Sequence, residues 1–137
     1  MLKSKTYIAT PPGATIKEQL MDRDMTQKEF AARMGLSEKH VSKLINGEVQ
    51  LTSEVALRLE MVLGIPARFW NNLESIYREK IALVRAENEM AEDVRLAKKF
   101  PYKEMAKYGW VPEESDDEGR VIALRKYFEL AKLTILL

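Results

Sequence analysis

Two short helices on either side of a glycine turn constrain the fold of this chain more than any other feature of its sequence. Residues 26–29, Thr-Gln-Lys-Glu, have the form of a capping box, in which the Thr and Glu side chains satisfy free N–H groups where a helix starts. Phe30, Ala31 and Met34 then recur at helical spacing. The sequence therefore predicts a helix that begins near residue 27 and buries these three side chains. It is the second helix of the chain, since another is predicted before it.

A glycine ends this helix and a serine begins the next one. Gly35 suits the left-handed backbone of a helix end, because it has no Cβ to clash. Leu36 fills the turn, and Ser37 can cap a third helix. The apolar side of that helix is formed by Val41, Leu44 and Ile45, and Asn46-Gly47 ends it. Two helices this short and this tightly joined predict a helix-turn-helix motif over residues 27–46.

The other side of the third helix is polar. Its side chains lie three or four residues apart and form one stripe: Glu38, Lys39, Ser42, Lys43 and Asn46. A helix with such a stripe can enter the major groove of B-DNA, which is roughly 12 Å wide. Gln27 stands at the amide end of the second helix, where it can bond a phosphate. The alternative, a helical hairpin with a solvated polar face, explains the turn residues less well.

The motif resembles that of the Cro/C1-type (XRE) repressors. Residues 26–47 follow the pattern Thr-Gln-x-x-Phe-Ala-x-x-x-Gly-Leu-Ser-x-x-x-Val-Ser-x-x-Ile-Asn-Gly, and the likeness extends over roughly residues 15–70. The flanks, Pro-Pro-Gly at 11–13 and a helix with Phe69, Trp70 and Leu73, are similar to those of the HigA (VapI-like) antitoxins. The resemblance implies an all-α fold with a five-helix Cro/C1 (lambda repressor-like) DNA-binding domain and a helical extension.

The resemblance also implies function. By this resemblance, the residues expected to face DNA are Gln27, Ser37, Lys39, Ser42, Lys43 and Asn46. Glu38 departs from the Gln often found at its position, and it can either accept from a cytosine amino group or point away from phosphate. His40 is read as a helix-surface residue beside DNA. The implied protein is a homodimer that binds a palindromic double-stranded operator, represses its own operon and neutralises a HigB-type ribosome-dependent mRNA endonuclease.

The sequence divides into three predicted parts. Residues 1–14 are an extended arm that ends at Pro-Pro-Gly, and a capping box at Thr15 starts the first helix, to about residue 23. Residues 15–70 are the DNA-binding domain, with a fourth helix capped by Thr52-Ser53 and a fifth that starts near Pro66. Residues 71–137 are a helical extension for dimerisation or partner contact. Trp70 with Phe69 is predicted to pack in the core or at a dimer interface, and the apolar side chains offered for a dimer surface are Phe69, Trp70, Ile76 and Ile81.

Within the extension, short helices are predicted at residues 94–100 and 102–108, split by Pro101. An acidic, flexible linker at 113–119 precedes an amphipathic helix over about residues 118–133, with Val121, Leu124 and Phe128 in one stripe. An isolated helix of about 16 residues is marginal in water, so its stripe must be covered. We expect it to fold back on residues 94–111 or to pack on a partner chain.

Composition excludes several classes of function. The chain has no cysteine and one histidine, so it predicts no disulfide and no zinc site. It contains no recognisable catalytic motif and no cofactor loop, and we predict that it is not an enzyme. No apolar run approaches the roughly 20 residues of a membrane span, and no signal peptide is evident, so the cytoplasm is expected. A formal net charge of +1 means that any basic footprint for DNA is local.

Two other functions fit the sequence. A Cro/C1-type repressor without a toxin partner would use the same motif. Residues 95–112 resemble the connector in longer proteins that join such a head to an ImmA/IrrE-type zinc peptidase, so the chain can also be read as a truncated relative of those proteins. The neighbouring gene distinguishes the antitoxin from the stand-alone repressor.

Overall fold

Helices form nearly all of the regular structure in the computed structural model, which describes residues 2–137. The elements, in chain order, are β1 (Leu2–Lys3), β2 (Ile8–Ala9), α1 (Gly13–Asp22), α2 (Gln27–Met34), α3 (Glu38–Ile45), α4 (Ser53–Leu63), α5 (Ala67–Ala97), α6 (Tyr102–Lys107), α7 (Asp117–Phe128) and a 3-10 turn (Leu133–Leu136). The all-α class predicted from the sequence is confirmed. Within the described residues, no helix is both long and apolar enough to cross a membrane.

The chain forms two compact units. Of the described residues, the first contains 2–3 and 7–84, and the second contains 4–6 and 85–137. The boundary predicted between residues 70 and 71 falls inside α5, which runs without a break from Ala67 to Ala97. The short helix predicted at residues 94–100 is therefore wrong in its start, because residues 94–97 continue α5, and α6 is the separate helix after Pro101.

Local capping explains where three of the helices begin. The hydroxyl oxygens of Thr26, Ser37 and Thr52 accept hydrogen bonds from backbone N–H groups three residues further on, at 3.0, 3.0 and 3.2 Å. Each bond satisfies a donor that has no partner within the helix. The three caps predicted from the sequence are confirmed.

The start of α1 differs from the prediction. The helix begins at Gly13, its N-cap is Pro12 with no side-chain cap, and Thr15 lies inside the helix. Gly13 packs directly against the backbone of Ile45, and a Cβ at residue 13 would overlap the Ile45 carbonyl. Proline tolerates the first turn of a helix because it needs no N–H partner there. The Pro-Pro-Gly segment therefore starts α1 at the point where its backbone lies against that of α3, rather than ending an extended arm.

A small hairpin replaces the extended arm predicted for the N-terminus. β1 pairs antiparallel with β2, with Leu2 opposite Ala9 and Lys3 opposite Ile8. Ala9 is fully buried in a cluster with Tyr77, Ile81 and Val84 of α5. The apolar surface of α5 explains why this segment is ordered, which its short β-prone sequence could not indicate.

In the second unit, the hairpin loop binds α5. The Ser4 hydroxyl and the Thr6 N–H both donate to the Glu87 carboxylate, at 2.6 and 2.5 Å. The Ser4 hydrogen bond, followed by those from Thr6, holds the pKa of Glu87 below its usual value. The ionised carboxylate is thus the form that accepts both bonds.

The core of the first unit is formed by α1 to α4 and the start of α5. Phe30, Val41, Leu59 and Trp70 are fully buried there, and Ile16 joins them from α1. The prediction that Trp70 belongs to a dimer surface is wrong, because its indole ring lies inside this core. The same correction applies to Ile81, which is 5% exposed and packs against Ala9 and its neighbours.

The second unit has its own core. Val121, Leu124 and Leu133 are fully buried, together with Tyr102 and Met105 of α6. The last long helix therefore folds back on residues 94–111, as one of the two predicted alternatives stated. It ends at Phe128 rather than near residue 133, because Glu129 adopts left-handed backbone with a φ of 56°.

The acidic segment before α7 is held in place rather than free. Tyr102 donates its hydroxyl to the Pro112 carbonyl at 2.6 Å, and Arg120 Nε donates to the Glu114 carbonyl at 2.7 Å. Asp116 caps α7 by accepting the Gly119 N–H at 3.1 Å. Burial raises the pKa of Tyr102 above its usual value, so its hydroxyl keeps the proton that it donates. The prediction of a flexible linker over residues 113–119 is wrong.

One buried carboxylate joins three parts of the second unit. Asp93 of α5 is 0% exposed, and its Oδ2 accepts from Arg125 Nε of α7 and from the Leu133 N–H, both at 2.8 Å. Arg125 Nη2 lies 2.7 Å from the same oxygen. Asp93 therefore fixes both α7 and the chain after it, and the charge is compensated only while Arg125 is present.

Candidate nucleic-acid interface

The turn between α2 and α3 is set by backbone chemistry at Gly35. This residue has φ 67° and ψ 33°, in the left-handed region that favours glycine. Its N–H donates to the Ala32 carbonyl at 3.2 Å, and the Leu36 N–H donates to the Ala31 carbonyl at 3.0 Å. This pair of bonds is a Schellman motif, and it ends α2 while directing the chain straight to the Ser37 cap of α3.

An arginine on α4 braces the same turn. Arg58 Nη1 donates to the carbonyls of Met34 and Gly35, at 3.0 and 3.3 Å, and its Nη2 pairs with Glu54 at 3.0 Å. Reasoning from the sequence missed this residue. The spacing of Glu54 and Arg58 on one helix was visible, but the bonds to carbonyls more than twenty residues away required the fold.

The inner face of α3 is anchored at both ends. Val41 is fully buried, and Leu44 and Ile45 are 2% and 6% exposed. The helix ends in a second Schellman motif, in which Gly47 has a φ of 76° and the Glu48 N–H donates to the Lys43 carbonyl at 2.8 Å. With its apolar side in the core, α3 must present its polar side to solvent.

Every predicted DNA-facing residue lies at the surface. Six are exposed, namely Gln27, Ser37, Glu38, Lys39, Lys43 and Asn46, and two are partly exposed, namely His40 and Ser42. Gln27 is the first residue of α2, and Ser37 caps α3 by accepting the His40 N–H. The fold thus gathers the α3 residues on one accessible helix and adds Gln27 at the start of the helix before it. Their contact with DNA stays a prediction.

The exposed side of α3 carries two lysines and one glutamate whose surroundings differ. Within the described residues, neither Lys39 nor Lys43 forms an ion pair, so both ammonium groups are available to phosphate. Glu38 lies in the first turn of α3, where a negative charge is favoured by the helix dipole. Stabilising the start of α3 explains why a glutamate is present beside two lysines that are available to phosphate.

The described residues contain no group of three or more His, Cys, Asp and Glu side chains that could hold a metal ion. His40 accordingly lies on α3 among side chains suited to hydrogen bonding rather than to coordination. A short capped helix with a buried inner face, a braced glycine turn before it and a polar outer face defines a helix-turn-helix DNA-binding protein.

Comparison with known proteins agrees with this class. The sequence matches the helix-turn-helix family over residues 16–70. Two Escherichia coli K12 proteins, the HTH-type transcriptional regulators YddM and YbaQ, are 33% and 32% identical to it, over 48% and 71% of this chain and 70% and 83% of their own lengths. Antitoxin HigA-1 of Vibrio cholerae is 38% identical over 45% of this chain and 59% of its own. The chain belongs to the helix-turn-helix family of DNA-binding regulators, which are not enzymes.

Solved structures extend the likeness. A Nostoc punctiforme protein described as an antidote of a plasmid maintenance system superposes with a TM-score of 0.56 and 32% identity, over 61% of this chain and 93% of that one. The Pseudomonas aeruginosa antitoxin HigA, solved with the higBA promoter, has a TM-score of 0.52 and 26% identity, over 55% and 83%. The resemblance to Cro/C1-type repressors and HigA antitoxins is confirmed.

Proposed function

We propose that this protein is an antitoxin that binds the operator of its own operon as a homodimer, represses that operon and neutralises a HigB-type mRNA endonuclease. The observation that carries the proposal is the exposed stripe on α3, with Lys39 and Lys43 unpaired within the described residues. Its context supports the same conclusion, since a HigA structure of the same fold was solved with promoter DNA.

An apolar stripe on α5 supports dimerisation. Phe69, Ile76 and Leu83 are seven residues apart on this helix, and their exposed fractions are 42%, 54% and 41%. Residues at this spacing lie on one side of a helix, and a second copy can pack there. A dimer would place two recognition helices about one DNA turn, roughly 34 Å, apart, as a palindromic operator requires.

Replacing Ile76 with lysine tests the dimer. The wild-type protein is expected to have a mass of about twice 15.8 kDa by light scattering at micromolar concentration. A charge in the stripe costs far more when buried at an interface than when exposed, so the variant is expected to be monomeric and to bind the operator about tenfold or more weakly. Ile122→Lys, at an exposed apolar residue of the second unit, is the matched control. A wild-type monomer that binds one copy per site would contradict the proposal.

Neutralisation is tested with the product of the adjacent gene. The two proteins are expected to co-purify as a stoichiometric complex, and co-expression is expected to restore growth that the toxin alone arrests. An adjacent gene product that neither binds this chain nor arrests growth would contradict the antitoxin function while leaving operator binding intact.

A second candidate is a regulator without a toxin partner. Its support is the similarity to YddM and YbaQ, which are described as transcriptional regulators, with YbaQ aligned over 98 residues. The same operator-binding experiment is expected to succeed for this function, and the co-purification is expected to fail.

A further inference from the structure

A buried glutamate joins α5 to the chain segment that follows α3. Glu74 is 6% exposed, and its Oε1 accepts a hydrogen bond from the Leu51 N–H at 3.3 Å. The same oxygen accepts from Arg78 Nε and Nη2, at 3.1 and 3.0 Å. Leu51 is itself buried and lies in the α3–α4 connection, residues 46–52. One carboxylate oxygen on α5 therefore holds the backbone that leads out of the candidate recognition helix.

Stability alone does not explain this carboxylate. Its second oxygen, Oε2, is buried and has no hydrogen-bond partner within the described residues. Burying a charge costs desolvation energy, and replacing a buried ion pair with apolar side chains of similar volume is often neutral or stabilising. An apolar side chain at residue 74 would follow Trp70 by one turn and extend the core of the first unit. It would lack only the directional bond to the Leu51 N–H.

α5 also contacts the beginning of the α3–α4 connection. Gly47 packs against Tyr77, and a Cβ at residue 47 would lie 3.0 Å from the Tyr77 hydroxyl oxygen. A packing contact of this kind sets a closest distance, whereas a hydrogen bond also sets a direction. The bond between Glu74 and Leu51 therefore fixes the direction in which the connection runs across α5.

The other side of α5 carries the proposed dimer surface. Phe69, Ile76 and Leu83 are exposed there. Glu74 and Tyr77 belong to the same helix but are buried against the first unit. Because the two sides are parts of one helix, the position of α5 on the α3–α4 connection sets the position of α3 relative to the dimer surface. In a homodimer, that position determines the distance between the two recognition helices.

We propose that Glu74 is a positioning residue for operator recognition: it fixes α3 relative to α5 through the Leu51 N–H, and it thereby sets the half-site spacing that the protein accepts. The inference rests on the proposed function, because it concerns an operator bound by a homodimer. Glu74 is buried, so it acts through the position of α3 rather than through a DNA contact of its own. Its effect is expected in the choice among operators, and not in the affinity of one α3 for one half-site.

The test uses three duplexes: the native operator, the same operator with one base pair inserted between its half-sites, and a single half-site. The insertion moves one half-site by about 3.4 Å and rotates it by about 34°. The wild type is expected to prefer the native operator to the lengthened one at least about tenfold, since half-site spacing is a geometric requirement. Fluorescence anisotropy with each duplex gives this spacing preference.

Replacing Glu74 with methionine removes the acceptor but keeps an unbranched side chain of similar length. The Arg78 side chain is 42% exposed, so water can solvate it when its partner is lost. The spacing preference of Glu74→Met is expected to fall at least about threefold, because α3 is no longer held in one position. Its affinity for the single half-site and its dimeric mass by light scattering are expected to match those of the wild type.

Two further variants are the controls. Glu74→Gln keeps an oxygen that can accept from the Leu51 N–H, so its spacing preference is expected to stay within about twofold of the wild type. Glu92→Ala removes an exposed carboxylate further along α5 and is expected to behave as the wild type does. Hydrogen exchange at the Leu51 amide follows the bond itself: protection is expected to fall in Glu74→Met and to persist in Glu74→Gln.

The outcomes separate this role from a purely structural one. A folded Glu74→Met protein with the wild-type spacing preference would overturn the positioning role and leave the proposed function standing. A Glu74→Met protein that does not fold, or that loses affinity for all three duplexes alike, would overturn it as well, because the carboxylate would then serve stability. A wild type without any spacing preference would contradict homodimeric operator binding, and the role of Glu74 with it.

Discussion

Replacing both Lys39 and Lys43 with alanine is expected to lower operator affinity by about 10²- to 10³-fold near physiological salt. The two ammonium groups are exposed on α3 and form no ion pair within the described residues. A proposed dimer would carry four such charges, and each phosphate that is no longer neutralised keeps about one counterion that binding would otherwise release. The slope of log affinity against log salt concentration is therefore expected to become shallower by roughly 3 to 4. Fluorescence anisotropy with the native operator, measured from low to moderate salt, gives both quantities.

A matched pair of lysines separates local contact from net charge. Lys98→Ala with Lys99→Ala removes the same charge from exposed positions of the second unit. Long-range attraction alone would make the two double variants equal. Direct contact predicts that only the α3 variant loses the larger part of the salt slope. Equal, small decreases in both would contradict the assignment of α3 to DNA, and so would wild-type affinity in the α3 variant.

Asp93→Ala is expected to unfold much of the second unit. The variant leaves Arg125 without its partner and removes the acceptor of the Leu133 N–H, so α7 and the chain after it lose a common attachment. Breaking a buried ion pair by removing one partner typically costs about 3 to 5 kcal/mol. For a unit of this size that is a large part of the whole free energy of unfolding. Hydrogen exchange is expected to lose protection across residues 117–137.

Lys132→Ala is the control for Asp93. Lys132 Nζ lies 3.6 Å from the Glu89 carboxylate, in the same region, but the two side chains are 42% and 45% exposed. Exposed pairs contribute at most about 1 kcal/mol, so protection is expected to persist in this variant. Protection that survives Asp93→Ala as well would mean that apolar packing of Val121 and Leu124 alone maintains the unit. Retained operator binding would show that the first unit is intact.

Local chemistry made the DNA-binding motif predictable. The Thr26 and Ser37 caps and the turn at Gly35 each depend on bonds between residues at most five positions apart, and each has one dominant structural use. The apolar and polar sides of α3 follow from helical periodicity in the same way. The surface position of the candidate DNA contacts could therefore be derived from the sequence of residues 27–46.

Features that depend on distant partners could not be derived. Asp93 reads as an ordinary polar residue of a long helix until α7 brings Arg125 to it, 32 positions later in the chain. Trp70 and Phe69 are adjacent and equally apolar, and only the tertiary packing decides that the first is in the core and the second is 42% exposed. The start of α1 was misplaced because a Thr-x-x-Glu pattern occurs inside the helix, whereas its true beginning is fixed by contact with α3.

The contact between α1 and α3 matters for redesigning DNA specificity. A recognition helix that replaces another can slide along its own axis, and every base contact then shifts with it. Here the last turn of α3 abuts Gly13, so the depth at which a grafted helix sits is fixed by a neighbour outside the graft. If α3 reads DNA as proposed, new sequences on its exposed side are expected to keep their register on the base pairs, provided that residue 13 remains glycine.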